Sequence, residues 1–388
     1  MSIRSKPLNA ITEADLLELA TSDQADRKTL EIKSGLPKHA VREQQEFLRE
    51  VAAFANAAGG DLIYGISTTQ ESQSPPLGLL TDNPKAEAQR LESLIRAGIE
   101  PGIPGLTVHS LELADARCVF ILRIPRSVVG PHWVKHEFYS RTSAGKYLLK
   151  HSELRDSFAQ SQATVERLRL FRLERIGRIL AGETTVPLKP APKTILHVFP
   201  LAKANTISMA GLKERGVKLA PFTTQGFDIK YNIDGAYSHD YLNNDGQSEG
   251  YFQVYRNGSV EVASADLTDI YQQNGFIPSW SFEERIVSTL DNIKAMYERH
   301  CIEPPYFLAL SLLGVKGYEM AIERRSLAWR MKEIDRDDLL LPEVFIEDAG
   351  FESSRLLQPV FDIVWNAAGY ERSLNYDDQG QWRPRERR

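Results

Sequence analysis

The sequence predicts an α+β protein in which an N-terminal mixed-sheet domain and a C-terminal α+β domain are joined by a long helix. Three stretches carry that expectation. From Asp26 to Ile66 the pattern reads strand, helix, strand. Around Asn257-Gly258, two alternating runs face each other as a hairpin. Between these lies Gly182 to Lys193, rich in Pro and Thr, which reads as a linker. The expected parts are therefore residues 1–160, an arginine-rich helix and linker at 161–193, and residues 194–388.

Each element has a local reason. Residues 1–11 read as a loose leader, and Thr12 to Asp15 offers an acidic capping box for a short helix. From Lys28 to Lys33, Leu30 and Ile32 alternate with Thr29, Glu31 and Lys33, so the charged pair is expected on the face the core does not take. The next helix spaces Val41, Gln44, Leu48, Val51 and Ala55 by threes and fours. Gly59-Gly60 supplies its stop, and Leu62, Tyr64 and Ile66 resume a period of two. Asn83 caps a second helix with Pro84 in its first turn. Leu106–Leu113 and Cys118–Ile124 form a hairpin, and Phe138 to Arg141 is a further strand. Ser152 is the expected cap of a helix reaching Ala181, whose second half interleaves arginines with large apolar residues. Beyond the linker, strands are expected at Thr194–Phe199, Gly226–Ile233, Gly250–Ala263, Tyr306–Val315 and Leu339–Glu347, and helices at Phe282–His300 and Leu356–Ala368. Asn257-Gly258 predicts a type I′ turn.

Composition narrows the classes. The 388 residues carry 47 Lys and Arg against 52 Asp and Glu, a net charge of −5, so polyanion binding must come from a local patch. Cys118 and Cys301 make neither a disulfide framework nor a metal spacing and read as buried or idle thiols. No apolar run has spanning length and no signal-peptide core is visible, so a cytoplasmic protein with no membrane partner is expected. The Walker loop and the Gly-x-Ser-x-Gly elbow are absent, and His132 with His136 is a weak metal spacing outside a helix.

Several segments in one order resemble the Schlafen AlbA-like domain. They are Glu31-Ile32-Lys33, Ala53-Phe54-Ala55-Asn56-Ala57, Gly59-Gly60, Tyr64-Gly65-Ile66, Ile124-Pro125-Arg126-Ser127, Pro131-His132 and Phe138-Tyr139-Ser140-Arg141-Thr142. The likeness covers roughly residues 10–160. It implies a nucleic-acid-binding module, for RNA or DNA, which in some relatives cleaves tRNA or rRNA. In the cleaving members two acids around the first strand are joined by a third after the second strand. Asp26 and Glu31 match the first two, and would hold Mg²⁺ or Mn²⁺ in a metal-dependent endoribonuclease. The third position falls at Ser67-Thr68-Thr69, where no carboxylate stands, and Asp61 is at the wrong end of its strand. Binding without cleavage, and so no enzyme and no cofactor, is the leading expectation.

Lys33, Arg141 and Lys146 are the candidate phosphate contacts, with Thr142 to Gly145 as a turn whose N–H groups could help. Trp133 is the candidate stacking surface and Lys135 a further cation beside it. Each basic residue alone would equally serve as an ordinary surface charge. Glu31 beside Lys33 would equally be a solvated ion pair worth roughly 0.2–1 kcal/mol. The arginine-interleaved helix, residues 161–180, could follow a duplex backbone, pack a second copy, or brace the chain, and Arg169 and Arg172 inside its apolar arc favour an interface. The C-terminal domain is expected to sense or to bind a partner. A regulator or a phage-defence component would fit.

Overall fold

Strand and helix periodicity meet in the first part of the chain, where one sheet is covered on both faces. A computed structural model describes residues 3, 6, 8–21, 28–66, 78–113, 117–127, 129–201, 207–214, 219–222, 228–266, 275–321, 332–347 and 349–383. Asp26, Ser67 to Thr69 and the tail beyond Arg383 lie outside the described residues. The chain separates into two units, 1–167 and 168–388.

The first unit runs α1 (Glu13–Thr21), β1 (Leu30–Lys33), α2 (Val41–Asn56), β2 (Gly60–Tyr64), β3 (Leu79–Leu80), α3 (Pro84–Gly98), β4 (Thr107–Glu112), β5 (Arg117–Ile124), β6 (Trp133–Val134), β7 (Glu137–Thr142) and β8 (Gly145–Leu148), and then enters α4 (His151–Leu180). β1 pairs parallel with β2, as a β-α-β crossover requires, and β2 pairs antiparallel with β5. β3 and β4 both pair with β5. The sheet is mixed, as expected. Leu62, Tyr64, Phe120 and Leu122 point to α2 and α3, whereas Ile63, Val119 and Ile121 pack with Ile3, Ile11 and Leu16.

Two of the three predicted caps form. The Asp15 carboxylate accepts the Thr12 N–H (2.9 Å), and Asn83 Oδ1 accepts the Ala86 N–H (3.0 Å). Gly59 takes φ 68° at the end of α2. Gly60 is needed for a different reason: a Cβ there would lie 2.3 Å from the Thr29 carbonyl and 2.5 Å from the Phe54 ring. At the start of α4 the carboxylate of Glu153, rather than the hydroxyl of Ser152, takes an end N–H, that of Lys150 (2.9 Å).

A separate three-stranded ribbon, β6-β7-β8, lies against α2. Its registers put Trp133 opposite Phe138 and Arg141 opposite Lys146.

The second unit continues α4 and adds β9 (Lys193–Pro200), α5 (Met209–Glu214), β10 (Lys230–Tyr231), β11 (Gly235–His239), β12 (Gly250–Tyr255), β13 (Val260–Ser264), β14 (Phe276–Pro278), α6 (Ser279–Arg299), β15 (Tyr306–Leu313), β16 (Glu319–Ala321), β17 (Asp338–Leu340), β18 (Val344–Ile346) and α7 (Ser353–Ala367). An antiparallel sheet orders β10-β11-β12-β13-β9-β15-β17, with β18 also on β15. One face carries the large core under α6 and α7. The other receives the second half of α4 through Ile176 and Ile179 on Ile195, Tyr251, Ala263 and Leu313. The α+β expectation therefore holds for both parts.

Two local expectations are corrected. The β12–β13 hairpin does not use a type I′ turn, because only Gly258 of the Asn-Gly pair has positive φ (85°). The Gly258 N–H reaches the Tyr255 carbonyl (2.9 Å) and the Ser259 carbonyl accepts from Tyr255 (2.8 Å), which makes a three-residue loop ending in a left-handed glycine. Gly182 to Lys193 is packed rather than a free linker: Val186 is buried, the Pro187 carbonyl accepts the Ser248 N–H (2.7 Å), and Lys189 pairs with Glu249. The division between the units falls inside α4 instead.

Candidate nucleic-acid interface

A charged stripe on α2 builds the site. Arg49 and Glu50 lie three and four residues beyond Glu46, Ala53 lies four and three beyond them, and Asn56 three beyond Ala53, so the five share the helix face turned to the ribbon. Asn56 fastens that ribbon: its amide nitrogen donates to the carbonyls of His132 (2.7 Å) and Tyr139 (2.8 Å), and its oxygen accepts the His132 N–H (2.7 Å). Nearby, Arg49 pairs with Glu137 (2.9 Å), whose carboxylate also accepts the Tyr139 hydroxyl (2.7 Å).

With the ribbon held, Lys33, Arg141 and Lys146 meet around shared carboxylates. Lys33 Nζ donates to Glu31 (2.9 Å) and to Glu50 (2.8 Å). Arg141 Nη2 donates to Glu31 (2.7 Å). Lys146 pairs with Glu46 and lies 3.7 Å from Glu50. Three cations from β1, β7 and β8 thus face three carboxylates, one from β1 and two from α2. Glu31 and Lys33 do not avoid the core face, as alternation alone suggested. They stand beside Leu62 and Tyr64, on the α2 side of the sheet. Charge is tolerated there because β1 is the edge strand.

The three cations differ in exposure. The Arg141 side chain is 2% exposed, and its guanidinium carbon sits 3.7 Å from the Phe54 ring centre. It cannot offer a free bidentate fork to a phosphate; it positions Glu31. Lys33 and Lys146 retain 35% and 21% of their side-chain surface. Burial is the largest influence on Glu31, Lys33, Glu50 and Lys146. It raises Glu50, more than Lys33 draws it down, and it lowers Lys146 with help from the Lys33 charge. Against that same penalty, bonds from Lys33 and Arg141 leave Glu31 below the ordinary carboxylate value, and bonds to Glu50 and Glu31 leave Lys33 above the ordinary ammonium value.

Other expected site residues stand apart. Trp133 shares a ribbon face with its cross-strand neighbour Phe138, which alternation sets on the side away from Glu137, Tyr139 and Arg141. Its ring packs with His136 (4.5 Å between centres) and Phe138 (6.0 Å), and Phe138 meets Phe158 of α4 (6.1 Å). Trp133 is therefore part of an aromatic cluster rather than a surface over the cations. Lys135 is exposed in the two-residue turn with His136, both at positive φ (50° and 65°). His132 is wholly buried, and burial pushes its imidazole down to about 4. Thr142 to Gly145 is the exposed end of the β7–β8 hairpin, where Thr142 Oγ1 accepts the Ala144 N–H (3.2 Å).

The described residues do not fit a divalent-ion centre. No group of three metal-ligating side chains occurs among them. Glu31 and Glu50 already share the Lys33 ammonium, which an ion bridging them would have to displace. Asp61, 1% exposed in its side chain, faces the opposite side of the sheet and pairs with Arg123 (3.0 Å). Cys118 is buried and Cys301 exposed, both as free thiols. The α4 arginines are also engaged: Arg169 pairs with Glu343 (3.2 Å), Arg175 with Glu261 (2.8 Å), and Arg172 donates to Ser311 Oγ and the carbonyls of Leu310 and Leu341. These three arginines are held by partners within the second unit.

Against known proteins, residues 26–150 match the family described as Schlafen, AlbA_2, and this part of the chain is a domain of that family. The family suggests a nucleic-acid-related function. No curated protein matches the chain. Among solved structures, the DIP2311 protein from Corynebacterium diphtheriae is 15% identical at a TM-score of 0.28, over 37% of this chain. This chain spans only 27% of that protein. The N-terminal domain of a RecG-related protein from Nitrosomonas europaea is 20% identical at a TM-score of 0.23, over 31% of this chain and 78% of that one. No helix among the described residues is long and apolar enough to cross a membrane.

Proposed function

We propose that the Schlafen AlbA_2 domain binds the sugar-phosphate backbone of RNA or DNA where Lys33 and Lys146 open to solvent, and does so without cutting it. The observation that carries this reading is the meeting of three cations, distant in sequence, on one patch of a domain whose family is nucleic-acid-related. A phosphate oxygen would take over the Lys146 ammonium from Glu46, the most exposed carboxylate of the cluster at 53%. Arg141 stays beneath as the positioning residue. Because each phosphate must compete with a resident carboxylate, affinity is modest and strongly dependent on salt. The C-terminal unit, in this reading, supplies partner contact or sensing.

Lys146→Glu is expected to weaken binding about fivefold to tenfold, roughly 1–1.4 kcal/mol, and to reduce the slope of log affinity against log salt by about one. Glu46→Gln is expected to strengthen binding by removing the competitor. Fluorescence anisotropy with labelled single- and double-stranded RNA and DNA across a salt series measures both. Equal affinities for the two variants and the unmodified protein would remove the reading. Cleavage of tRNA in Mg²⁺ or Mn²⁺ that vanishes in Glu31→Gln would replace it with the ribonuclease alternative.

A further inference from the structure

We propose that the second half of α4 pairs antiparallel with the same helix of a second copy of this chain. The inward side of this segment is used up within the second unit by Arg172, Ile176 and Ile179, all buried. On the outward side Leu170, Leu173 and Leu180 are 56%, 51% and 57% exposed. With Gly177 between the last two, they follow a three-four-three spacing, the seam pattern of paired helices. All of these residues lie in the second unit.

Gly177 is the independent observation. It sits inside a helix, where glycine is among the least favourable residues, yet a Cβ built there meets nothing within 4 Å. None of the described residues gives a packing reason for the missing side chain. A second helix approaching closely does. In an antiparallel pair centred on Arg175, Leu173 of each copy enters the notch left by Gly177 of the other, and Leu170 meets Leu180. A parallel pair would instead set the two glycines opposite each other and leave a gap between leucine layers. Charge agrees with the antiparallel choice. Glu174 and Arg178 pair within one helix (2.8 Å), and near the two-fold axis they form an alternating group of two carboxylates and two guanidinium groups. The seam is short, so the dimer is expected to be concentration-dependent.

Light scattering with the full chain from micromolar to sub-millimolar concentration tests this. The mass should rise toward two chains, and Leu173→Glu or Gly177→Leu should return it to one. Neither change should alter the far-ultraviolet circular dichroism or lower the melting temperature of the monomer, since both positions face outward. A mass that stays at one chain throughout overturns the proposal, as does a dimer that survives both substitutions. Orientation is read in a Cys301→Ser background. The Leu173→Cys/Gly177→Cys double variant should cross-link two copies on mild oxidation. Cross-linking by Leu173→Cys alone, as efficient as by the double variant, would overturn the antiparallel arrangement.

Discussion

Glu261→Ala is expected to cost about 3–5 kcal/mol of stability, because it leaves buried cationic and polar partners without their shared carboxylate. Glu261 is fully buried in β13. It accepts Arg175 Nε and Nη2 (2.8 Å each), the Tyr251 hydroxyl (2.7 Å) and His197 Nε2 (2.9 Å). Burial alone would raise its pKa, but the bonds from Arg175 and His197 outweigh that and hold it down to about 2, from 4.5. A depressed carboxylate contributes stability that is complete above its unfolded value and is lost as pH falls through the folded one. Stability of the second unit should thus decline between about pH 4.5 and about pH 2, and the decline should be shallower in Glu261→Gln. Urea denaturation at neutral and acidic pH measures both. A neutral-pH loss below about 1 kcal/mol in Glu261→Ala would show that the buried network is not organised by this carboxylate.

Arg123→Met is expected to be comparably damaging in the first unit, again about 3–5 kcal/mol. Arg123 Nε and Nη2 each donate to Asp61 (3.0 Å), while Nη1 and Nη2 hold the carbonyls of Lys6 (2.6 Å) and Ile3 (3.2 Å). Removing the guanidinium strands a buried carboxylate and releases the chain that covers Ile63, Val119 and Ile121. Replacing both partners, as Asp61→Leu with Arg123→Met, should recover much of the loss, since the uncompensated charge goes with them. Urea midpoints of the two single variants and the double variant give the comparison. A double variant worse than the sum of the singles would contradict the account.

The strand-helix-strand unit was legible because two periodicities abut and a double glycine separates them. The face of β1 was not. Alternation says that Glu31 and Lys33 share a side, but only the second layer decides which side that helix covers. Glu46 and Glu50 were missed as partners because on a helical wheel they lie on the polar back of α2. Their signal was the spacing of Glu46, Arg49, Glu50 and Asn56, which marks a second packed stripe rather than a solvated one. Pro and Thr made Gly182 to Lys193 look free, although Val186 and Lys189 anchor it to the sheet. Trp133 lies just upstream of Arg141 and Lys146 in sequence, but strand alternation set it on the far side of the ribbon. Lys33 and Arg141 were legible through the family segments, and Lys146 stands four residues beyond the last of them. Their carboxylate partners required the fold.

The Asn56 amide has a fixed polarity: one nitrogen serves two carbonyls while one oxygen serves an N–H. Aspartate there would set its oxygen against both carbonyls, and leucine would leave all three backbone groups unsatisfied. The asparagine of the Ala-Phe-Ala-Asn segment is therefore a rivet. It ensures that two hairpin strands whose contacts lie 76 and 83 residues further along dock in the same alignment each time the chain folds, and the electrostatics of the patch inherit their geometry from it.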